Sequence, residues 1–209
     1  MRGLFIVLEG CDRAGKTTQT QLLQKFFHAR DRKCELAKFP DRTTSLGITI
    51  NSYLQGSQAL SDQAIHLLFS ANRWELIDSL ESKVKNGVNL IVDRYAYSGA
   101  AFTSAKGLDI DWCKSCDKGL LKPDLVLFLD TSNKTMSKRE DFGAEVYENL
   151  EFQSKVREQF HLLKDDSWKI INASGTIEEV QAEIQTHVLT LLNQDSYAPI
   201  QRNLWCGNE

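Results

Sequence analysis

The sequence predicts an α/β fold, a five-stranded parallel sheet flanked by helices. Three observations carry this expectation. Short apolar runs of strand length alternate with longer segments of helical period, the order that builds parallel sheets. Two of the runs end in acids, in "LIVDR" and "DLVLFLD", and ligands of open α/β sheets bind outside the carboxyl ends of the strands. Between the first strand-like run and the first helix-like segment stands "GCDRAGKT", residues 10–17, which fits G-x-x-x-x-G-K-[ST] in the context that motif requires.

Strand-like runs fall at residues 4–9, 34–39, 89–93, 124–130 and 168–172. Helix-like segments lie between them. Residues 16–30 follow the glycine loop, and 43–54 follow "FPDR". A long helix is expected over 61–86, with Ser61 or Asp62 as N-cap and Gly87 just past its end. Residues 143–163 and 177–192 complete the set. The tail after Asp195 lacks periodicity, although Leu204 and Trp205 are placed to dock. No internal repeat, low-complexity tract or linker interrupts the chain.

The 209 residues carry a formal net charge of −3, with 42% hydrophobic and 25% charged residues. These values are ordinary for a globular protein, and one domain spanning 1–209 is expected. A dedicated duplex-binding protein shows a clear basic excess, so nucleic acid is not an expected partner. The apolar runs "LFIVL" and "LVLFL" fall far short of the ~20 residues of a membrane span, so no membrane partner is expected. The first is also too short for a signal-peptide core and leads directly into the glycine loop. An intracellular protein that keeps its N-terminus is expected, cytoplasmic first, with nuclear or mitochondrial pools open. Five cysteines fit a reducing compartment. Cys113 and Cys116 form a C-x-x-C without a second pair at zinc spacing, so no metal or redox role is expected. Cys11 reads as a small filler.

The phosphate loop has a specific physical logic. Its glycines let backbone N–H groups converge on phosphate oxygens, and the helix N-terminus adds partial positive charge. Lys16 reaches the β- and γ-phosphates in this motif, and the Thr17 hydroxyl ligates Mg²⁺. With Gly at ~7% of residues, a chance match in such a chain has odds on the order of one per cent. A GTPase would need N-K-x-D, and Asn133-Lys134-Thr135-Met136 lacks the Asp. The loop therefore points to a small phosphoryl-transfer enzyme with two nucleotide pockets. Asp12 is the oddity, an acid inside an anion cradle.

Other residues point to an acceptor that is itself anionic. Arg42 in "FPDR", Arg73 in "FSANRWE" and Arg94 in "VDRY" sit at strand ends or beside aromatics. Phe69 and Arg73 are four apart on one helix face, a spacing that suits a base stack with a guanidinium one turn away. A core Phe beside a snorkelling Arg is the alternative. Asp93 ends its strand before Arg94, where it either orients Mg²⁺ or its waters or partners an arginine. A phosphate monoester with second pKa of about 6 is already mostly dianionic at pH 7. A kinase acting on a nucleoside monophosphate thus needs cations and alignment more than a general base.

Six segments, "FIVLEGCDRAGKTTQ", "KFPDRTT", "HLLFSANRWE", "LIVDRYAYSGAAFTSAKG", "KPDLVLFL" and "FGAEVYEN", together closely resemble the thymidylate kinase family in its eukaryotic type, with an Arg in the P-loop. The likeness runs from Leu4 to about Leu192. It implies a P-loop nucleoside monophosphate kinase fold with a short lid at about 138–148. It also implies a homodimer that uses ATP and Mg²⁺ to phosphorylate dTMP to dTDP, towards dTTP. Arg13, Lys16, Asp93 and Arg94 match catalytic positions. Thr17 and Asp93 match the metal site, Asp93 through water. Gly10, Asp12, Arg13, Ala14, Gly15, Lys16, Thr17, Thr18 and the lid Arg139 match ATP contacts, with Ala173, Ser174 and Gly175 near adenine. On the dTMP side, Asp12 matches a contact to the sugar 3′-OH, and Phe69 the thymine stack. Arg73 matches the residue reading the base edge, and Arg42 and Arg94 the phosphate contacts with Phe39 lining that pocket. Ser98, Gly99, Phe102, Tyr147 and Gln153 match further acceptor positions, and Tyr147 would crowd a ribose 2′-OH.

Three positions differ from the family pattern. Asp41 stands where "FPER" has Glu. The lid reads Glu145-Val146-Tyr147-Glu148 where "ERYE" is usual, leaving Arg139 as the nearest lid cation. "SCDKGLLKPDL" replaces "QPDxGLPKPDL", a difference expected to affect packing rather than chemistry. Two other readings compete. One is a kinase for another nucleotide or deoxynucleoside; the other is a catalytically silent nucleotide-binding protein, against which intact Lys16, Thr17, Asp93 and Arg94 argue.

Overall fold

The central strands of the sheet are buried on both faces, which is why they read as unbroken apolar runs rather than alternating ones. A computed structural model describes residues 1–131 and 145–207. Arg139, residues 138–144 of the expected lid, and the Asn133-Lys134-Thr135-Met136 stretch lie outside these. The strands are β1 (Phe5–Glu9), β2 (Cys34–Lys38), β3 (Asn89–Asp93), β4 (Leu125–Asp130) and β5 (Trp168–Asn172), in the order β2-β3-β1-β4-β5. Every neighbouring pair is parallel, with Leu8 opposite Asp93 on one side and Leu127 on the other. That register brings the loop after β1 beside the acid that ends β3.

The helices among the described residues are α1 (Lys16–His28), α2 (Ser45–Leu54), α3 (Asp62–Trp74), α4 (Ile77–Lys85), α5 (Ala96–Ser104), α6 (Ile110–Ser115), α7 (Leu150–Leu163) and α8 (Ile177–Leu192). Successive strand residues point to opposite faces. Phe5, Val7, Leu90, Val92, Val126 and Phe128 therefore meet Tyr95, Tyr97 and Phe160 on one side. Leu4, Ile6, Leu8, Ile91 and Leu127 meet Leu23 and Phe27 of α1 and Val180, Ile184 and Val188 of α8 on the other.

The expected helix over 61–86 is two helices, broken at Glu75 and Leu76. His66, Ser70, Arg73, Ile77, Leu80 and Val84 are buried in one continuing phase, so apolar spacing carries no sign of the break. Side chains hold the end of α3 there: Asn72 Nδ2 donates to Glu75 Oε1 at 2.7 Å, and Trp74 Nε1 to the Cys116 carbonyl at 2.9 Å. Helix α5 has no counterpart in the sequence reading. Eight of its nine residues are buried, and a helix enclosed on all sides has no polar face to create a period. Short α6 is likewise unforeseen. Helix α7 starts at Leu150 rather than 143, capped by Asn149, whose Oδ1 accepts from Phe152 N. The tail docks: Leu204 exchanges backbone hydrogen bonds with Leu120 and Gly119, and the Trp205 ring meets Tyr97 edge-on at 5.4 Å.

Candidate active site

A cavity of about 1110 Å³ opens beyond the carboxyl ends of β1 and β3, lined at one end by the glycine loop and at the other by α3 and α5. Gly10 and Gly15 hold φ of 147° and 97°. A Cβ on Gly10 would lie 2.7 Å from the Leu129 carbonyl oxygen, so only glycine fits this crossing of β1 and β4. Lys16, the first residue of α1, is 5% exposed and donates to the carbonyls of Gly10 (3.1 Å) and Cys11 (2.7 Å). Burial, with Arg94 nearby adding to it, lowers its pKa to about 8. Cys11 is a buried filler whose thiol pKa burial raises to about 11.

Thr17 Oγ1 donates to Asp93 Oδ2 at 2.7 Å. The other carboxylate oxygen, Asp93 Oδ1, is buried with no hydrogen-bond partner among the described residues. An unpartnered carboxylate oxygen beside a hydroxyl suits a hard cation with oxygen ligands. The pair therefore fits the Mg²⁺ that the motif implies.

The acid in the loop faces a cation. Asp12 Oδ1 is ion-paired with Arg94 Nη2, and Asp12 Oδ2 accepts from Gln153 Nε2 at 2.7 Å. Arg94 supplies the charge that compensates the acid inside the anion cradle. Arg94 sits at φ 68°, in the left-handed region, and also donates to Gly10 O (3.0 Å) and Ser98 Oγ (3.1 Å). Burial alone would depress its pKa, but Asp12, Asp93 and Glu9 raise it overall. Glu9 is fully buried and accepts from Tyr95 N, Ser98 N and Ser98 Oγ at 2.8, 3.1 and 2.5 Å. Burial raises its pKa.

At the acceptor end, Phe39, Arg42, Phe69, Arg73, Ser98, Gly99, Phe102 and Tyr147 all line the cavity. Arg73 is no snorkelling surface residue. It is 2% exposed and doubly bonded to Asp117, from Nε to Oδ1 at 3.0 Å and from Nη2 to Oδ2 at 2.5 Å. Gly99 makes room for it, since a Cβ there would lie 2.7 Å from Nη2. Asp117 belongs to the "SCDKGLLKPDL" segment, at the Asp that this segment shares with "QPDxGLPKPDL". Gln153, expected as a pocket residue, is fully buried behind Asp12 and is not among the described lining residues.

Two arginines are held by acids among the last residues of the expected lid. Arg13 Nε pairs with Glu148 Oε1 at 2.9 Å, and Arg42 Nη2 with Glu145 Oε1 at 2.7 Å. Arg42 also donates to Asn51 Oδ1 at 2.8 Å. On the donor side Ala14, Thr18, Ala173 and Gly175 line the cavity, while Ser174 turns its N–H to Asn172 Oδ1 at 3.1 Å.

Sequence reasoning missed Glu9, Asp117, Glu145 and Glu148 as partners of the site. Glu9 is hidden as the last residue of an apolar strand. Asp117 lies 44 residues from Arg73. The one available signal was physical: an arginine on a buried helix face requires a carboxylate somewhere.

A family model described as thymidylate kinase matches residues 8–184. The thymidylate kinase of Arabidopsis thaliana is 51% identical over 204 residues, covering 98% of this chain and 78% of that protein. The human thymidylate kinase is 48% identical over 188 residues, 88% of this chain and 89% of that one. The solved thymidylate kinase of Candida albicans superposes with a TM-score of 0.88 at 41% identity, covering 96% of this chain and 97% of its own.

Proposed function

The chain belongs to the thymidylate kinase family, whose members are nucleoside monophosphate kinases, and on that premise we propose that it transfers the γ-phosphoryl group of ATP to dTMP, giving dTDP and ADP for dTTP biosynthesis. One relationship supports this most. Asp12 of the phosphate loop is ion-paired with Arg94 just past the end of β3, so the donor loop is tied directly to an acceptor-side cation.

Lys16, Arg13 and the loop N–H groups hold the donor phosphates and face the charge that develops on the transferring group. Arg94 and Arg42 align the acceptor phosphate, which is already dianionic and needs no general base. Catalysis then rests on positioning and electrostatics. The exposed pair Arg42–Glu145 contributes only about 0–1 kcal/mol. A charge-assisted bond to phosphate contributes about 1.5–3 kcal/mol, so Arg42 can exchange carboxylate for phosphate. Arg73 cannot, because breaking a buried pair costs about 3–5 kcal/mol. It stays fixed and offers Nη1 to the base edge, with Phe69 one turn away to stack on the ring. Thr17 and Asp93 would hold Mg²⁺, which when bound neutralises charge between the β- and γ-phosphates.

A homodimer is part of the proposal, supported by the exposed apolar side chains Ile48 on α2 and Leu67 and Trp74 on α3. So are a single kinase domain over 1–209 and a cytoplasmic setting, which five free cysteines suit. No described helix is long and apolar enough to cross a membrane. The test is a coupled ADP-release assay with Mg-ATP and dTMP, dUMP, UMP, dGMP or AMP. The highest kcat/KM is expected with dTMP. ATP binding without turnover of any acceptor, or preference for another acceptor, contradicts the proposal.

A further inference from the structure

One half-buried polar cluster borders the cavity through Tyr147 and has no part in the phosphate chemistry. Lys106, just past the end of α5, donates to Asp62 Oδ1 at 2.6 Å, Tyr147 Oη at 2.8 Å and Tyr53 Oη at 3.2 Å. Three acceptors meet the three N–H donors of one ammonium. Tyr147 Oη in turn donates to Tyr53 Oη at 3.2 Å. Four segments converge here: the last turn of α2, the first turn of α3, the exit of α5 and the turn before α7.

Tyr147 is held at its other end as well. Its carbonyl accepts from Gln153 Nε2 at 2.9 Å, and the same amide binds Asp12. Its ring stacks on Phe152 with centroids 5.4 Å apart and touches Phe102 at 5.6 Å, while Phe102 lies under the Arg94 guanidinium at 5.2 Å. The ring shares an apolar cluster with Phe69. It therefore stands between the phosphate-side arginine and the base-side phenyl ring. A nucleotide's sugar joins its phosphate to its base, so this ring borders the sugar. With its hydroxyl accepting from Lys106 and donating to Tyr53, Tyr147 has no proton left to donate to an added sugar hydroxyl. With its ring backed by Phe152, it has no room to withdraw.

We propose that Asp62 and Lys106 are specificity-determining positioning residues: their ion pair locks the Tyr147 ring and so sets the discrimination between deoxyribo- and ribonucleotide acceptors. The inference rests on the dTMP kinase reading above.

The test compares dTMP with 5-methyluridine 5′-monophosphate, which differs only by the 2′-hydroxyl. Lys106→Met is expected to lower the kcat/KM preference for dTMP about tenfold, with the KM for ATP unchanged. Asp62→Asn shifts it in the same direction. Tyr147→Phe keeps the ring but removes the hydroxyl, reproduces the fall, and carries the test if Lys106→Met does not fold. Because Lys106 acts through Tyr147, the double variant falls no further than either single one. Preference unchanged in the single variants, or losses that add in the double, would overturn the clamp. A wild-type protein that phosphorylates neither nucleotide would instead overturn the kinase reading beneath it.

Discussion

Asp117 holds Arg73 inside the cavity wall: the carboxylate takes two of the guanidinium's nitrogens, and neither side chain is more than 2% exposed. Ser70 Oγ adds a third bond to Asp117 at 2.8 Å. This fixes the direction of the remaining Arg73 nitrogen, Nη1.

Asp117→Ala leaves a buried, uncompensated charge and is expected to destabilise the fold by about 3–5 kcal/mol in urea unfolding. The double variant Arg73→Met, Asp117→Leu removes both charges and should regain most of that stability. It should not regain affinity for dTMP. A double variant that binds dTMP as wild type does would reduce Arg73 to a structural role.

Phe69→Ala is expected to weaken dTMP binding about tenfold or more, the contribution of one base stack. ATP affinity should hardly change, because Phe69 lies at the acceptor end of the cavity. Calorimetric titration of each ligand separates the two. Equal losses for dTMP and ATP would sink the stacking role.

Lys16 gives the site a pH signature. Its pKa in the folded protein is lowered from 10.5 to about 8, chiefly by burial. The unfolded chain therefore binds more protons between those values, and this residue's contribution to stability rises as pH climbs from about 8 towards 10.5. Phosphate binding favours the charged amine and raises its pKa again. ATP binding near pH 8 should thus take up a proton, and ATP affinity should fall at higher pH. Titrations in buffers of different ionisation enthalpy read the uptake directly. No uptake in the wild type, or the same uptake in Lys16→Met, would contradict the assignment.

Much of this architecture was legible in particular residues. Strand β3 keeps its expected bounds because an apolar run flanked by polar residues leaves little choice, and β5 keeps its bounds as well. Helix α8 does so through a capping box in which Thr176 and Glu179 satisfy each other's backbone N–H. What was hidden is equally physical. Helix α5 lies in the interior and has no amphipathic period. The break between α3 and α4 preserves the phase of the buried stripe. The partners that orient the site arrive from far along the chain, as Gln153 does for Asp12 across 141 residues. Motif spacing names the groups that meet phosphate, but the carboxylates and amides that aim them appear only once the sheet brings distant segments together.

The central claim is that the phosphate loop serves both nucleotides, with its backbone, Lys16 and Arg13 facing the donor while Asp12, through Arg94, organises the acceptor. The most direct measurement is titration of Asp12→Ala with dTMP and, separately, with a non-hydrolysable ATP analogue. The account predicts that dTMP affinity falls about tenfold or more, the size of a lost charge-assisted hydrogen bond, while the ATP analogue binds as it does to wild type. Equal losses for both ligands, or a loss confined to the ATP analogue, would contradict it.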